Sequence, residues 1–121
     1  MLNQEELTYR IRGCVYEVFR DLGCGFLEKI YERALLRELR ICGLDVQAQV
    51  PIEVQYKGAV VGEYFADMLV EDTVIIELKA QREASKEAEA QLLNYLKATG
   101  VRIGMLVNFH YPKATIKRFV L

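Results

Sequence analysis

The stretch Val74-Ile75-Ile76-Glu77-Leu78-Lys79 places a carboxylate and an ammonium at the end of an otherwise apolar segment. Side chains alternate across a strand, so Glu77 and Lys79 share one face while Ile76 and Leu78 share the other. Burying those charges is costly unless they are paired or bound to a metal. Earlier in the chain, Asp67 sits within Tyr64-Phe65-Ala66-Asp67-Met68-Leu69-Val70, among apolar neighbours and in a segment where aspartate has poor strand propensity. A hairpin turning near Glu71-Asp72-Thr73 brings Asp67 across from Glu77. Two carboxylates then converge beside one lysine, and a divalent cation is the natural compensation for their repulsion. Oxygen ligation of this kind suits magnesium or manganese. Lys79 is then placed to position or deprotonate an attacking water, or to stabilise developing anionic charge. The plainer alternative leaves Glu77 and Lys79 as the solvated end of a strand, joined in an ordinary ion pair.

These residues need elements to hold them. Asn3 caps a helix, with Glu6 completing a capping box, and Leu7, Ile11, Cys14, Val15, Val18, Phe19 and Leu22 recur at helical spacing. Gly23 and Gly25 stop it. A second helix is expected over 27–41, with Leu27, Ile30, Tyr31, Ala34, Leu35 and Ile41 on its apolar side and Glu38 lying awkwardly inside that stripe. The period then drops to two: Val46, Ala48, Val50, Ile52, Val54 and Tyr56 alternate with polar residues, as in a half-buried strand. Pro51 cannot donate to a ladder, which puts this strand at an edge or bulges it. Lys57-Gly58 turns the chain into a strand over 60–70, and a third follows over 74–80. A helix over 84–99 carries Ala88, Leu92, Tyr95 and Leu96 on one side. Two strands, 103–109 and 115–120, close the chain around a turn at Tyr111-Pro112. The order is ααβββαββ, with no internal repeat or linker, and a sheet covered by helices is the economical architecture.

A chain of 121 residues fits a single domain, 1–121, and can bury a real core. Apolar residues make up 52% and charged residues 27%, which excludes disorder on composition. The apolar runs are short, as in Met105-Leu106-Val107, and the start is polar and acidic, so a cytoplasmic protein with no membrane partner is expected. Sixteen basic residues against seventeen acidic ones leave a net charge of −1, which counts against a protein coated on nucleic acid but allows a local basic face. Cys14, Cys24 and Cys42 form no C-x-x-C pair, and His110 is the one histidine, so the sequence carries no pattern for structural zinc; Cys14 reads as a small buried hydrophobe.

Asp67, a turn, Glu77-Leu78-Lys79 on the next strand and then a helix together resemble the PD-(D/E)XK superfamily of restriction-endonuclease-like nucleases. Gly25-Phe26-Leu27-Glu28-Lys29-Ile30-Tyr31 matches the signature of the bacterial GxxExxY family, and Gln91-Leu92-Leu93-Asn94-Tyr95 is similar to the Q-x-x-x-Y element of several branches. The elements occur in the expected order between Gly25 and Tyr95, with Ala66 replacing the proline before the aspartate.

The resemblance implies an α/β (α+β) fold with a restriction-endonuclease-like core, a central mixed sheet flanked by helices. It implies Asp67 and Glu77 as magnesium or manganese ligands, with the backbone carbonyl of Leu78 as a third and Lys79 as the catalytic lysine. Glu28 would be a further acidic ligand or an anchor for metal-bound water, with Tyr31 packed beneath it. Gln91 would orient Lys79 or a phosphate. Arg82 and Lys86, entering the following helix, could meet phosphates near the metal, whereas Lys113, Lys117 and Arg118 read as solvated surface. The expected function is metal-dependent hydrolysis of nucleic-acid phosphodiester bonds, DNA ahead of RNA, with a homodimer plausible because pairing enlarges the footprint on a duplex. The alternative is a binding or interaction module, or a subunit of a larger assembly, that keeps the fold without turnover.

Overall fold

The computed structural model describes residues 2–83 and 85–121. Helix α1 (Gln4–Leu22) opens on the expected capping box, with the Asn3 side chain accepting the Glu6 N–H at 2.9 Å. It is followed by α2 (Glu28–Ile41), β1 (Val46–Tyr56), β2 (Ala59–Val70), β3 (Val74–Lys79), α3 (Lys86–Thr99), β4 (Ile103–Asn108) and β5 (Thr115–Val120). Ala84, where the sequence reading starts the third helix, lies outside the described residues; Ser85 is the N-cap, accepting the Ala88 N–H at 3.1 Å.

The five strands lie in sequence order in one sheet. Three of the four pairings are antiparallel, and β3 and β4 run parallel because α3 crosses between them. β1 is an edge strand, as Pro51 requires. Strands β3 and β4 are buried along almost their whole length, since helices cover both faces. Over one face, α1 and α2 pack Leu7, Ile11, Val15, Tyr31, Leu35 and Leu39 onto Met68, Ile76, Leu78, Met105 and Val107. Over the other, α3 packs Leu92, Tyr95 and Leu96 onto Ile52, Ile75 and Leu106. Gly104 lets α3 sit this close, because a Cβ there would lie 2.9 Å from the Leu92 side chain. No helix among the described residues is long and apolar enough to cross a membrane.

Two apolar faces differ from the sequence expectation. On α2, Leu27, Ile30 and Ile41 are exposed, and the inward face is Tyr31, Glu32, Leu35 and Leu39. On β1, Ala48 and Tyr56 are exposed; Val46 belongs to the core under α1 and α2, whereas Val50 and Ile52 belong to the one under α3. The alternation breaks at Gln49, whose φ of +53° turns the strand over midway.

Candidate metal centre

The long β1–β2 hairpin does not stay with the sheet. β2 pairs with β3 only through Met68, Leu69 and Val70, opposite Ile76, Ile75 and Val74. Beyond Met68 the strands part, and the backbone groups there need other partners. The two predicted carboxylates supply them: Glu77 Oε1 accepts the Asp67 N–H at 2.9 Å, and Asp67 Oδ2 accepts the Leu78 N–H at 2.8 Å. The acids therefore sit in the split between β2 and β3, fixed by main chain.

That split is open to both helical layers. From α2, Glu32 is buried and reaches the Asp67 carboxylate, while Glu28 in the first turn adds its field to the same group. Lys29 Nζ lies 3.0 Å from Glu32, and the Gln49 amide bonds both Glu32 oxygens at 3.0 and 3.3 Å. The unusual backbone of Gln49 thus serves to aim its side chain at the acidic cluster; strained residues concentrate at such sites.

Electrostatics show what the cluster lacks. Burial, then the neighbouring Glu77-independent charges of Glu32 and Glu28, push the Asp67 carboxyl up to about 6 despite the stabilising Leu78 N–H. Glu77 is pushed up to about 8 by burial and then by the Asp67 charge, against the pull of the Asp67 N–H and of Lys79. A hydrogen bond to a charged group contributes only about 1.5–3 kcal/mol, so here desolvation and repulsion win. The donor set is all oxygen and anionic, a chemistry that fits a hard divalent cation, which would favour the ionised forms; among the described residues the acids do not gather three ligand atoms within 4.8 Å of one another.

Lys79 closes β3 half-buried, and its charge acts on Glu77, but it forms no ion pair within 4.0 Å among the described residues. The ordinary ion pair of the plainer sequence reading is therefore not formed. After it, the Asn108 side chain clamps Gln81 by accepting its N–H at 3.0 Å and donating to its carbonyl at 2.8 Å, which fixes the chain leaving the site. The G-x-x-E-x-x-Y element has a structural logic. Gly25 adopts a φ of +106° that side chains avoid; the buried Tyr31 hydroxyl donates to the Gly23 carbonyl at 2.5 Å and accepts the Phe26 N–H at 3.3 Å. Its ring stacks on Phe109 at 4.6 Å. The loop is thereby pinned at the start of α2, where Glu28 is exposed but near enough for its charge to act on Asp67.

On the α3 side, Gln91, Tyr95 and Tyr64 line a cleft of about 960 Å³ running along the hairpin. Burial, then the charges of Glu77 and Asp67, push the Tyr95 phenol up to about 12, which places it against the acids. Gln91 makes no hydrogen bond to Lys79 among the described residues; it faces the cleft one turn before Tyr95. Arg82 and Lys86 are exposed, Arg82 beside a depression shared with Asn108, His110 and Lys113. Lys113 and Arg118 are solvated as expected, and Lys117 pairs with Glu89 at 3.1 Å.

The reading of the sequence missed Glu32, Gln49 and Asn108. For Glu32 a signal existed: it lies one helical turn after Glu28, on the face that Tyr31 and Leu35 turn inward. Gln49 and Asn108 gave none, because an unusual φ and a loop clamp leave no periodic trace.

A family model described as the PD-(D/E)XK nuclease superfamily matches residues 5–119. No curated protein matches the sequence. Among solved structures, the protein SSO0001 superposes with a TM-score of 0.59 at 20% identity, over 76% of this chain and 48% of that one. An alkaline exonuclease from Laribacter hongkongensis superposes with a TM-score of 0.58 at 15% identity, over 99% of this chain and 72% of that one. This chain thus spans about half the length of the first and under three quarters of the second. At these identities the likeness is one of fold.

Proposed function

The chain belongs to the PD-(D/E)XK nuclease superfamily, and on that premise we propose that it is a metal-dependent phosphodiesterase acting on nucleic acid, with DNA as the preferred substrate. One observation carries the reading: in the split between β2 and β3, a buried carboxylate, Glu77, and a half-buried one, Asp67, hold each other's strand through main-chain N–H groups while repelling each other as charges. A purely structural pair would gain more from apolar residues of the same size. The motif Gly25, Glu28 and Tyr31, with its loop-pinning geometry, supports placing the chain in the GxxExxY family.

In this reading Asp67, Glu77 and the Leu78 carbonyl hold magnesium or manganese, with Glu32 and Glu28 as further acidic partners. The bound cation supplies Lewis acidity toward a phosphate oxygen and lowers the pKa of water. The protein's own groups do the rest. Lys79, at the end of β3 and without an ion pair among the described residues, orients the attacking water or takes up charge developing on the phosphate. Gln91, Tyr95 and Tyr64 line the cleft along which a strand can lie, and Arg82 and Lys86 meet its phosphates. The alkaline activity in the name of the Laribacter protein makes exonucleolytic cutting the first mode to examine. The alternative, a binding or interaction module without turnover, is favoured by the near-neutral charge of −1, since tight nucleic-acid binders usually carry a basic surplus, and by the small size of the chain.

The test is cleavage of single-stranded, duplex, flapped and branched DNA and of RNA, with manganese or magnesium and with a chelator. Cutting is expected with metal alone, lost in Lys79→Ala with metal binding retained, and lost in Asp67→Asn together with metal binding. A contaminating nuclease would survive both substitutions. Metal binding without cutting across the panel would move the assignment to the binding module, and gel filtration of the bound complex reads whether one or two copies engage.

A further inference from the structure

Outside the acidic split, three side chains that the proposed reaction does not use come together where α1 meets the end of α2. Cys14 Sγ and Cys42 Sγ lie 3.5 Å apart, and Glu38 Oε2 lies 3.7 Å from Cys42 Sγ. Among the described residues they form the one group of three or more Cys, His or acidic side chains whose ligand atoms all lie within 4.8 Å of one another. Both clusters draw on α2: Glu38 lies six residues beyond Glu32, which at 1.5 Å per residue sets their nearest members about 9 Å apart along the helix.

We propose that Cys14, Glu38 and Cys42 form a second metal site, for a thiophilic divalent cation such as zinc, with its fourth position left to water. The spacing decides between a cation and a disulfide. Tetrahedral zinc with bonds of about 2.3 Å to sulfur and about 2.0 Å to oxygen needs ligand separations of roughly 3.8 Å between sulfurs and roughly 3.5 Å from sulfur to oxygen. The Cys14–Cys42 and Cys42–Glu38 distances require shifts of a few tenths of an ångström, and Cys14 and Glu38 lie within 4.8 Å of each other. A disulfide of about 2.05 Å would require the sulfurs to close by roughly 1.5 Å.

Charge and placement agree. Glu38 lies half-exposed at the margin of the buried face of α2, and among the described residues the Cys42 thiol is its hydrogen-bond partner. A dication shared with two thiolates and this carboxylate leaves one negative charge. The Arg10 guanidinium, which donates to the Cys42 carbonyl, stands beside it to balance that charge. The cation would also sit at the C-terminal end of α2, where the helix dipole favours it. Cys14 is buried, while Glu38 and Cys42 are half-exposed and leave a way in. Binding needs both cysteines as thiolates, so it releases protons and tightens as pH rises. The product is a clamp between α1 and the helix that carries Glu28 and Glu32. The softness of its ligands separates it from the oxygen site that takes magnesium.

The experiment is a cobalt(II) titration of the intact chain kept reduced with a phosphine. Expected are a sulfur-to-cobalt charge-transfer band and intensified visible bands of four-coordinate cobalt, saturating at one equivalent and displaced by zinc. Asp67→Asn leaves them unchanged, which separates this site from the acidic one. Cys42→Ser removes the charge-transfer intensity or halves it. Glu38→Gln weakens cobalt binding by about tenfold or more, a scale on which even residues behind the ligands act. Should Cys14→Ser fail to fold, the two half-exposed positions still decide the matter. Absence of the charge-transfer band, or its survival unchanged in Cys42→Ser, overturns the site. So does a chain that gives no cobalt spectrum yet loses two hydrogens to glutathione disulfide, which would make the cysteines a redox pair.

Discussion

Asp67 and Glu77 each satisfy main chain on the other's strand: the Glu77 carboxylate takes the Asp67 N–H, and the Asp67 carboxylate takes the N–H of Leu78, the residue after Glu77. Where β2 leaves β3, side chains replace the ladder that backbone would have made. The fold thus holds the acids in place and bears their repulsion. On the proposed reading they are preorganised ligands, which lose little freedom on binding a cation at the expense of stability without it.

That expense sets a pH dependence. A carboxyl group whose folded pKa lies above its unfolded value leaves the folded chain binding more protons, so its ionisation destabilises. Glu77 is raised to about 8 and Asp67 to about 6. Their contribution is most favourable below the ordinary carboxylate range and is lost as pH climbs toward about 8. In chelator, the melting temperature is expected to fall across that window, and Glu77→Gln, which keeps an acceptor for the Asp67 N–H, should flatten the fall. At pH 8 the variant should melt about 3 °C or more above wild type, since 1 kcal/mol corresponds to roughly 4 °C at this size. Glu77→Gln melting lower than wild type at that pH would show a stabilising charge instead.

Glu32 is the acid that tells a metal site from a simple pair. It joins Asp67 from α2, with Gln49 and Lys29 on its own oxygens. Glu32→Gln is expected to weaken magnesium binding by about tenfold, equivalent to about 1.4 kcal/mol, in a calorimetric titration. Unchanged affinity would confine the ligands to the β2–β3 split.

Much of this was legible in the sequence, for reasons that are local. The two-residue period marked the strands, and the charged tail of an apolar strand marked Glu77 and Lys79. Asp67 stood out because aspartate is a poor strand residue. What was not legible depends on rotation and on distance. Leu27, Ile30 and Ile41 suggested an inward face for α2 that the structure turns to solvent, which hid Glu32 among surface glutamates. Gln49 looked like an outward strand residue until its φ of +53° turned it. Cys14 and Cys42 meet only through the packing of two helices, which no spacing rule along one element records.

Tyr31 connects the loop to the site and gives a stability prediction. Tyr31→Phe keeps the stack on Phe109 but leaves the Gly23 carbonyl and the Phe26 N–H without the hydroxyl. The expected loss is about 1–3 kcal/mol, read as a lower urea midpoint with unchanged slope. Because the loop fixes the start of α2 with Glu28, cleavage should fall further than the fraction unfolded accounts for. A variant as stable and active as wild type would reduce the signature tyrosine to a ring.

The last prediction concerns how nucleic acid is held. Arg82 is exposed just beyond Gln81, which Asn108 fixes, and Lys86 is exposed in the first turn of α3. Both would therefore present their charges from anchored main chain near the end of β3. Each phosphate contact releases counterions and adds about 0.9 to the slope of log affinity against log salt on duplex DNA. Arg82→Ala with Lys86→Ala is expected to lower that slope by about 1.8. The measurement is DNA binding over a salt series with calcium, whose looser coordination permits binding with little turnover. Lys117→Ala is the control: Lys117 is tied to Glu89 at 3.1 Å on β5, so its removal should leave the slope unchanged. Equal slopes for wild type and the double variant would take Arg82 and Lys86 out of the interface. A fall produced by Lys117→Ala instead would move the nucleic acid to the C-terminal hairpin, away from the cleft along α3.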